Sequence, residues 1–422
     1  MYEKRKDSKG RLLRRGESQR KDGKYEYKYT DIGGVRRTIY SWRLVETDKH
    51  PDGKRKTQAL RTLEDAVKKD LLDGIDTNAA NSKTLNDYIE LNFSINTKWK
   101  KSTRAGYEGS YRRYIKDSIG QKTICSLKYS QIRSFLESVE KSHGIKKSSV
   151  GSIYSVINGA FKLALRDNVI RSNPVEGMIR EISLYDDGES EQVALSAEWQ
   201  DRLIDFVSTT PDLRKHLNLI TVFLGTGMRS GELCGLTWSN CDFKNNVIHV
   251  KQQAQYVYDY EEKRGEFIIS SPKSKSGYRD IPMLDDVKNA LLKIQREQFK
   301  SLLPKPELDN QSGFVFITAS GKVISNSAIN YSLKRIRKRY NETETLKADR
   351  DNRAPELMPK LTAHILRHSF CTRLCEAGTN IKVIQDIMGH STITTTMDIY
   401  ANLSDNSKRE GIEKLELITR IS

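Results

Sequence analysis

The most informative stretch of this 422-residue chain lies near its C-terminal end and reads Leu361-Thr362-Ala363-His364-Ile365-Leu366-Arg367-His368-Ser369-Phe370. His364 and Arg367 are three residues apart, so on a helix both side chains face the same way and can address one phosphate group. His368 is predicted to lie on a different face and to have a structural role. Downstream, Met388-Gly389-His390 is predicted to end an amphipathic helix, and Tyr400 follows ten residues later.

A second arginine lies far upstream, in Gly225-Thr226-Gly227-Met228-Arg229-Ser230-Gly231-Glu232-Leu233. An apolar helix over Leu219–Leu224 is predicted to break at Gly-Thr-Gly, and a new helix to begin at Ser230, where its positive end would favour an anion. Glu232 is expected to orient the guanidinium of Arg229. Arginine suits phosphate because it stays charged and donates paired hydrogen bonds to phosphate oxygens.

Together these segments resemble the tyrosine recombinases, the family of phage and transposon integrases, over the C-terminal half of the chain. The resemblance implies that Arg229, His364, Arg367 and His390 bind and activate a DNA phosphodiester, which Tyr400 attacks. The bond energy would be kept in a 3′-phosphotyrosyl link, so no metal ion, ATP or other cofactor is expected. A free phenol has a pKa of about 10, so nearby cations must stabilise the developing negative charge.

The resemblance also implies a lysine that protonates the leaving 5′ oxygen, and two candidates remain open. Strand-like segments, Asn246–Lys251 and Phe267–Ser270, lead to Ser271-Pro272-Lys273-Ser274-Lys275-Ser276-Gly277, which is similar to the family's lysine hairpin. Lys273 stands in the better motif context, before a small hydroxyl residue. Lys275 would lie on the same face of a strand and is the alternative general acid.

The composition favours a polyanionic partner. The chain has 72 Lys and Arg against 55 Asp and Glu, a net charge of +17, and residues 1–60 alone hold 18 basic and 9 acidic residues. Since binding DNA releases condensed counterions, double-stranded DNA is the predicted partner. On charge alone, a merely basic protein or one attracted to anionic membrane is the alternative.

The sequence also predicts where the protein works. No run of eighteen apolar residues is present, so no membrane span or membrane partner is predicted. The five cysteines are scattered and odd in number, which argues against a disulfide framework and fits a reducing compartment. We therefore expect a bacterial cytoplasmic, nucleoid-associated protein.

The fold class expected is mainly α with small β-sheets (α+β), in three domains of residues 1–75, 82–180 and 192–422. In the first, a turn at Asp31–Gly34 separates strand-like segments, and a short helix over Thr62–Leu72 follows. Tyr25, Tyr27 and Tyr29 share one strand face, and their alternation with lysine favours contact with DNA. The three-stranded sheet with its helix would bind arm DNA.

The remaining chain reads as helical domains joined by polar linkers, Asp76–Lys83 and Asp186–Glu191. Residues 82–180 would form a core-binding bundle, and Ser196 would cap a helix through Phe206. One stripe of a long helix is apolar: Val150, Ile153, Tyr154, Ile157, Phe161 and Ala164. Basic residues cluster around a predicted helix start: Lys98, Lys100, Lys101, Arg104, Arg112 and Arg113.

The predicted function is a site-specific recombinase that integrates and excises a mobile element, most like the three-domain integrases of Gram-positive conjugative transposons. It would act as a homotetramer on core and arm sites, with an excisionase and a host DNA-bending protein as further partners. The alternatives are a Xer-like resolvase, a type IB topoisomerase and a catalytically inactive DNA-binding regulator. The tail, 402–422, is expected to dock on a neighbouring protomer or, alternatively, to cap its own domain.

Overall fold

The computed structural model describes residues 5–75, 82–183, 194–260, 262–272, 274–301 and 304–401. The chain divides into two compact units, residues 1–189 and 190–422. The predicted linkers fall largely, and the predicted tail wholly, outside the described residues. No helix of the described part is long and apolar enough to cross a membrane.

The first unit begins with a three-stranded antiparallel sheet and one helix. The sheet order is β1 (Glu17–Gln19), β2 (Tyr25–Thr30) and β3 (Arg36–Ser41), and α1 (Leu60–Leu72) follows. The predicted turn between β2 and β3 forms: the Asp31 carboxylate accepts the Val35 N–H at 2.8 Å, and Gly34 takes the positive φ that suits glycine. The predicted sheet with its helix is confirmed.

The tyrosine face of this sheet is the core of the domain, so Tyr25 and Tyr27 are not on the surface that a partner can reach. Tyr25 and Tyr27 are buried in a cluster with Leu44, Leu60 and Val67. Because side chains alternate across a strand, Glu26 and Lys28 point to the other face, where they pair with the following strand. The outward face, with Lys28, Thr38 and Tyr40, is the one left for a partner.

A helical bundle with its own hydrophobic core completes the first unit. Its helices are α2 (Leu85–Ile95), α3 (Lys101–Ser110), α4 (Tyr129–His143), α5 (Lys147–Arg166) and α6 (Met178–Ser183), and a π turn over Tyr111–Ile115 extends α3. Every residue of the predicted apolar stripe on α5 is buried, which confirms it. The predicted basic cluster is solvent-facing, with only Arg104 partly buried.

The second unit packs helices around two small sheets. Its helices are α7 (Ala197–Thr209), α8 (Leu217–Thr226), α9 (Ser230–Cys234), α10 (Asp285–Lys300), α11 (Asn326–Arg350), α12 (Ala363–Glu376), α13 (Ile381–Met388) and α14 (Thr394–Ala401). Ser196 caps α7 by accepting the Trp199 N–H at 3.2 Å, as predicted. The buried, strongly apolar α8 packs against α10 and α12 and anchors the core.

The strands of this unit form a three-stranded sheet and a separate hairpin. The sheet order is β4 (Cys241–Asp242), β5 (Val247–Val250) and β8 (Arg279–Pro282); the hairpin pairs β6 (Gln253–Asp259) with β7 (Arg264–Ser270). The mainly α fold with small sheets is confirmed. Lys275 begins a 3₁₀ turn, Lys275–Gly277, so its predicted place on a strand is wrong.

Candidate active site

Arg229 stands where one helix ends and the next begins. Helix α8 ends at Thr226 and is capped by Gly227, whose φ of +57° is the left-handed conformation that favours glycine. A Cβ at Gly227 would lie 2.4 Å from Cδ1 of Phe370, so only glycine fits there. The predicted break is confirmed, and Arg229 is the residue before α9.

Glu232 is the carboxylate that fixes the backbone and side chain of Arg229 at the start of α9. Its side chain is 2% exposed and accepts hydrogen bonds from the Arg229 N–H at 2.9 Å and from Arg229 Nη1 at 2.8 Å. Arg279 adds Nη1 and Nη2 at 3.0 and 2.8 Å. Burial alone would raise the pKa of Glu232, but the hydrogen bonds from Arg279 and the two arginine charges lower it. The Arg229 amide is thus occupied by Glu232 and unavailable to an anion.

Arg367 is a buried cation whose hydrogen bonds go to carbonyls. It is 4% exposed, on α12, and donates from Nη1 to the Gly227 oxygen at 2.6 Å and from Nη2 to the Met388 oxygen at 2.5 Å. Burial lowers its pKa to about 9, which still leaves it protonated at pH 7. Among the residues that the structure describes, no carboxylate forms an ion pair with Arg367. A buried charge in this state favours an anionic ligand.

His390 follows α13 and its C-cap, Gly389, which has a φ of +65°. His390 is 8% exposed, and its Nδ1 lies 2.9 Å from Oγ1 of Thr396, on α14. Burial, followed by the charges of Arg367 and Arg229, lowers its pKa to about 4. His390 is therefore neutral at pH 7. The predicted helix end before it is confirmed.

His364 and His368 contact each other at the open side of the site. Their Nε2 atoms are 3.1 Å apart and their ring centroids 4.6 Å apart. Residues four apart share a helix face, so the prediction that His368 lies on a different face is wrong. Desolvation of its ring, then the charges of Arg367 and Arg229, lowers the pKa of His364. Desolvation, then His364, lowers that of His368 to about 4.

The structure brings four of the predicted residues to one place. Arg229 Nη2 donates to the Gly389 oxygen at 2.7 Å, beside the Met388 oxygen that Arg367 uses, and His390 comes next in the chain. The positive charges of Arg367 and Arg229 also lower the pKa of His364, so His364 lies near both guanidiniums.

The nucleophile and general-acid candidates are placed less completely. Tyr400 belongs to α14, which packs against α12 and α13, but its side chain lies outside the described residues. Lys273 lies outside them altogether, and Lys275 is exposed. The described part of the chain has no group of three His, Cys, Asp or Glu that could hold a metal ion.

Arg279 is a residue of this site that the sequence reasoning missed. Its side chain is 5% exposed, on β8, and besides Glu232 it contacts the oxygens of Ile387 at 2.6 Å and Gly277 at 3.2 Å. One signal was present in the sequence: Arg279 shares a strand face with Ile281, two residues on, which is fully buried. An arginine on a core-facing strand position needs a buried partner.

Two arginines lie beside neutral imidazoles, and Arg367 is buried without a carboxylate partner in the part of the chain that the structure describes. This arrangement suits the binding of a phosphoryl group. Residues 194–407 match the phage integrase family, and residues 1–71 match the DNA-binding domain of Tn916 integrase. The chain belongs to the phage integrase family, the tyrosine recombinases, which break and rejoin DNA.

Similar proteins span nearly the whole chain. The transposase from transposon Tn916 of Enterococcus faecalis is 32% identical over 427 residues, covering 98% of this chain and 97% of that protein. The transposase from transposon Tn1545 of Streptococcus pneumoniae matches at the same identity and coverage. Among solved structures, the Tn1549 transposon integrase in complex with a circular intermediate DNA has a TM-score of 0.67 at 29% identity. It covers 79% of this chain and 100% of that one.

The low pKa of His390 predicts a specific loss of folding stability in acid. The imidazole titrates near pH 4 in the folded protein and near 6.5 when unfolded. Between these values the unfolded chain binds the proton and the folded one does not, so stability falls as the pH drops from 6.5 to 4. The full effect is about 3 kcal/mol.

Urea unfolding of a His390→Gln variant measures this contribution. Its free energy of unfolding should fall less steeply than that of the wild type between pH 6.5 and 4. His143→Gln, at an exposed histidine of α4, is the matched control and should keep the wild-type slope. Equal slopes for His390→Gln and the wild type would show that His390 is not held neutral by the fold.

Proposed function

We propose that this protein is the integrase of a conjugative transposon, which integrates and excises the element through a 3′-phosphotyrosyl intermediate. The observation that carries the proposal is the buried charge of Arg367, bonded to carbonyl oxygens and next to Arg229. A scissile phosphate supplies the anion that Arg367 lacks. The likeness to the Tn916 and Tn1545 transposases along the whole chain supports the type of element.

Each residue has a distinct task in the proposed reaction. The Tyr400 oxygen attacks phosphorus, forming the tyrosyl ester as the bond to the 5′ oxygen breaks. Arg229 and Arg367 neutralise the non-bridging oxygens, whose charge grows in the transition state. His364, neutral at pH 7 and at the open side, exchanges the phenol proton. His390, neutral and fixed by Thr396, donates a hydrogen bond to the phosphate through its other nitrogen.

A nicked suicide substrate with the core site tests the proposal. The wild type should form a covalent protein–DNA adduct and, on intact DNA, recombine two sites within a complex of four protomers measured by sedimentation. A type IB topoisomerase would instead relax supercoiled DNA without a defined site pair. DNA binding without an adduct would support an inactive regulator, and activity that needs no arm sites would support a Xer-like resolvase. Each of these three results would refute the proposal.

We infer that Lys273 is the general acid, with Lys275 as the alternative. Lys273→Ala should slow cleavage by roughly 10²–10⁴-fold because the 5′ oxygen then leaves without its proton. On DNA with sulfur at the 5′-bridging position the rate should return, since a thiolate leaves unprotonated. Lys275→Ala, at the exposed start of the 3₁₀ turn, is the matched control. Loss and rescue in Lys275→Ala alone would reverse the assignment.

We infer that the outward face of the N-terminal sheet binds arm DNA. Lys28 is exposed there. Nearby, Lys24 Nζ lies 5.1 Å from the ring centroid of Tyr40 and 5.5 Å from that of Trp42, a cationic and aromatic surface. Lys28→Ala should weaken arm binding and reduce the slope of log affinity against log salt by about 0.9. Lys69→Ala, an exposed lysine on α1, should not. The reverse pattern would place the DNA on the helix side.

We also infer three domains, residues 1–75, 82–180 and 192–422. The two separate hydrophobic cores of the first unit support the first boundary, and the family matches to residues 1–71 and 194–407 are compatible with the arm-binding and catalytic domains. Limited proteolysis should cut first within the predicted linkers, residues 76–83 and 186–191. Early cuts inside the helical bundle would contradict these boundaries.

An excisionase and a host DNA-bending protein would be further partners, detected as a change in recombination direction when each is added.

A further inference from the structure

The buried side chain of Arg279 hydrogen-bonds three segments that border the site. Both its terminal nitrogens bond the Glu232 carboxylate, at 3.0 and 2.8 Å. Its Nε donates to the Ile387 oxygen at 2.6 Å, at the end of α13, and Nη1 also reaches the Gly277 oxygen at 3.2 Å. These partners come from α9, α13 and the 3₁₀ turn, the three elements next to Arg229, His390 and Lys273 in the chain.

The charges explain why a second arginine is needed beside Glu232. Glu232 bonds both Arg229 and Arg279, so one carboxylate faces two guanidiniums. Without Arg279, the buried Glu232 carboxylate would have Arg229 as its only cationic partner. The ion pair would then draw the Arg229 guanidinium inward, and the carboxylate would neutralise its positive charge. With Arg279 bonded through two nitrogens, Arg229 keeps positive charge for a phosphate. The side chain of Arg229 is 36% exposed and that of Arg279 only 5%, so Arg229 faces the ligand.

The fit around Arg279 leaves little room for another arrangement. A Cβ at Gly389 would lie 3.0 Å from Cδ and 3.1 Å from Nη1 of Arg279, and 2.8 Å from the Ser276 oxygen. The backbone between Met388 and His390 therefore passes directly over the arginine. That backbone supplies the carbonyl oxygens that accept hydrogen bonds from Arg229 and Arg367. The position of Arg279 therefore determines the positions of these two guanidiniums.

We propose that Arg279 is a positioning residue for DNA cleavage, which holds Glu232, the Met388–His390 segment and the lysine-bearing turn in register without touching the DNA. The inference rests on the proposed function of the site. A lysine at this position could not bond the carboxylate and both carbonyls together, because it lacks the planar fork of donors. The arginine is required for its geometry and its charge.

Single-turnover cleavage of the suicide substrate, with protein in excess, tests the proposal. Arg279→Met and Arg279→Lys should lower the first-order rate constant by about 10²-fold, the effect of a small misplacement of catalytic groups. The fraction of DNA finally cleaved and the affinity for DNA should stay at the wild-type values. Loss of folded protein would instead lower the fraction of protein that binds DNA in a stoichiometric titration, at an unchanged rate constant. Arg264→Met, at an exposed arginine of β7 paired with Glu262, is the matched control.

A double-mutant cycle shows whether Arg279 acts through Arg229. If it does, Arg279→Met combined with Arg229→Met should cost much less than the product of the two separate losses. Independent, multiplying losses would overturn the proposal, as would a wild-type rate constant in both Arg279 variants. Failure of both variants to fold would also overturn it, leaving Arg279 a role in stability. An absence of adduct with the wild-type protein would instead refute the proposed function itself.

Discussion

Tyr400→Phe is expected to abolish the covalent adduct while leaving DNA binding unchanged. The substitution removes only the phenol oxygen, so the helix α14 and its packing against α12 and α13 should persist. No neighbouring group is expected to replace a nucleophile that must lie in line with the leaving oxygen. The measurement is a gel shift of denatured protein–DNA adduct on the suicide substrate, beside a binding assay under native conditions.

Tyr331→Phe is the matched control for this loss. Tyr331 lies on α11 with 71% of its surface exposed, and its hydroxyl has no part in the site. Its variant should form adduct at the wild-type rate. An adduct formed by Tyr400→Phe would place the nucleophile elsewhere, whereas loss of both adduct and DNA binding would point to a folding defect.

Arg367→Met is expected to reduce the cleavage rate constant by at least roughly 10²–10³-fold, the cost of removing one donor aimed at a developing oxyanion. Methionine fills much of the same volume but leaves the Gly227 and Met388 oxygens without their donor. Folding stability should therefore also fall, by about 1–3 kcal/mol for each buried acceptor left unpaired. Rates at saturating protein and urea unfolding separate the two effects.

Arg335→Met controls for the general loss of one positive charge. Arg335 is half exposed on α11 and pairs with Asp212 at 3.1 Å, an arrangement of little energetic weight. Its variant should cleave and unfold like the wild type. A rate constant of Arg367→Met within a few-fold of wild type would contradict the role of Arg367 as the principal phosphate ligand.

The spacing of residues in the sequence predicted the features that depend only on neighbouring residues within one helix. The apolar stripe of α5 and the helix break before Arg229 follow from periodicity and from glycine, and both are confirmed. The same logic, applied to His364 and His368, should have paired them, since four residues make about one turn.

Other features depend on contacts distant in sequence. Alternation places Tyr25 and Tyr27 on one sheet face, but only the docking of α1 decides that this face is the core. The pairing of Arg279 with Glu232 joins residues 47 apart, and neither position reveals the other. Lys275 enters a 3₁₀ turn in which Gly277 packs on Pro272, a local contact that strand propensity does not predict.

The most direct test of the account is to identify the residue that carries the DNA. After trapping on the suicide substrate and nuclease digestion, trypsin should release residues 383–408 as one peptide, in which Tyr400 is the only tyrosine. We predict that fragmentation in a mass spectrometer places the nucleotide remnant on Tyr400, through its phenol oxygen. A remnant on any other residue, or an adduct that yields no modified peptide from this segment, would contradict the account.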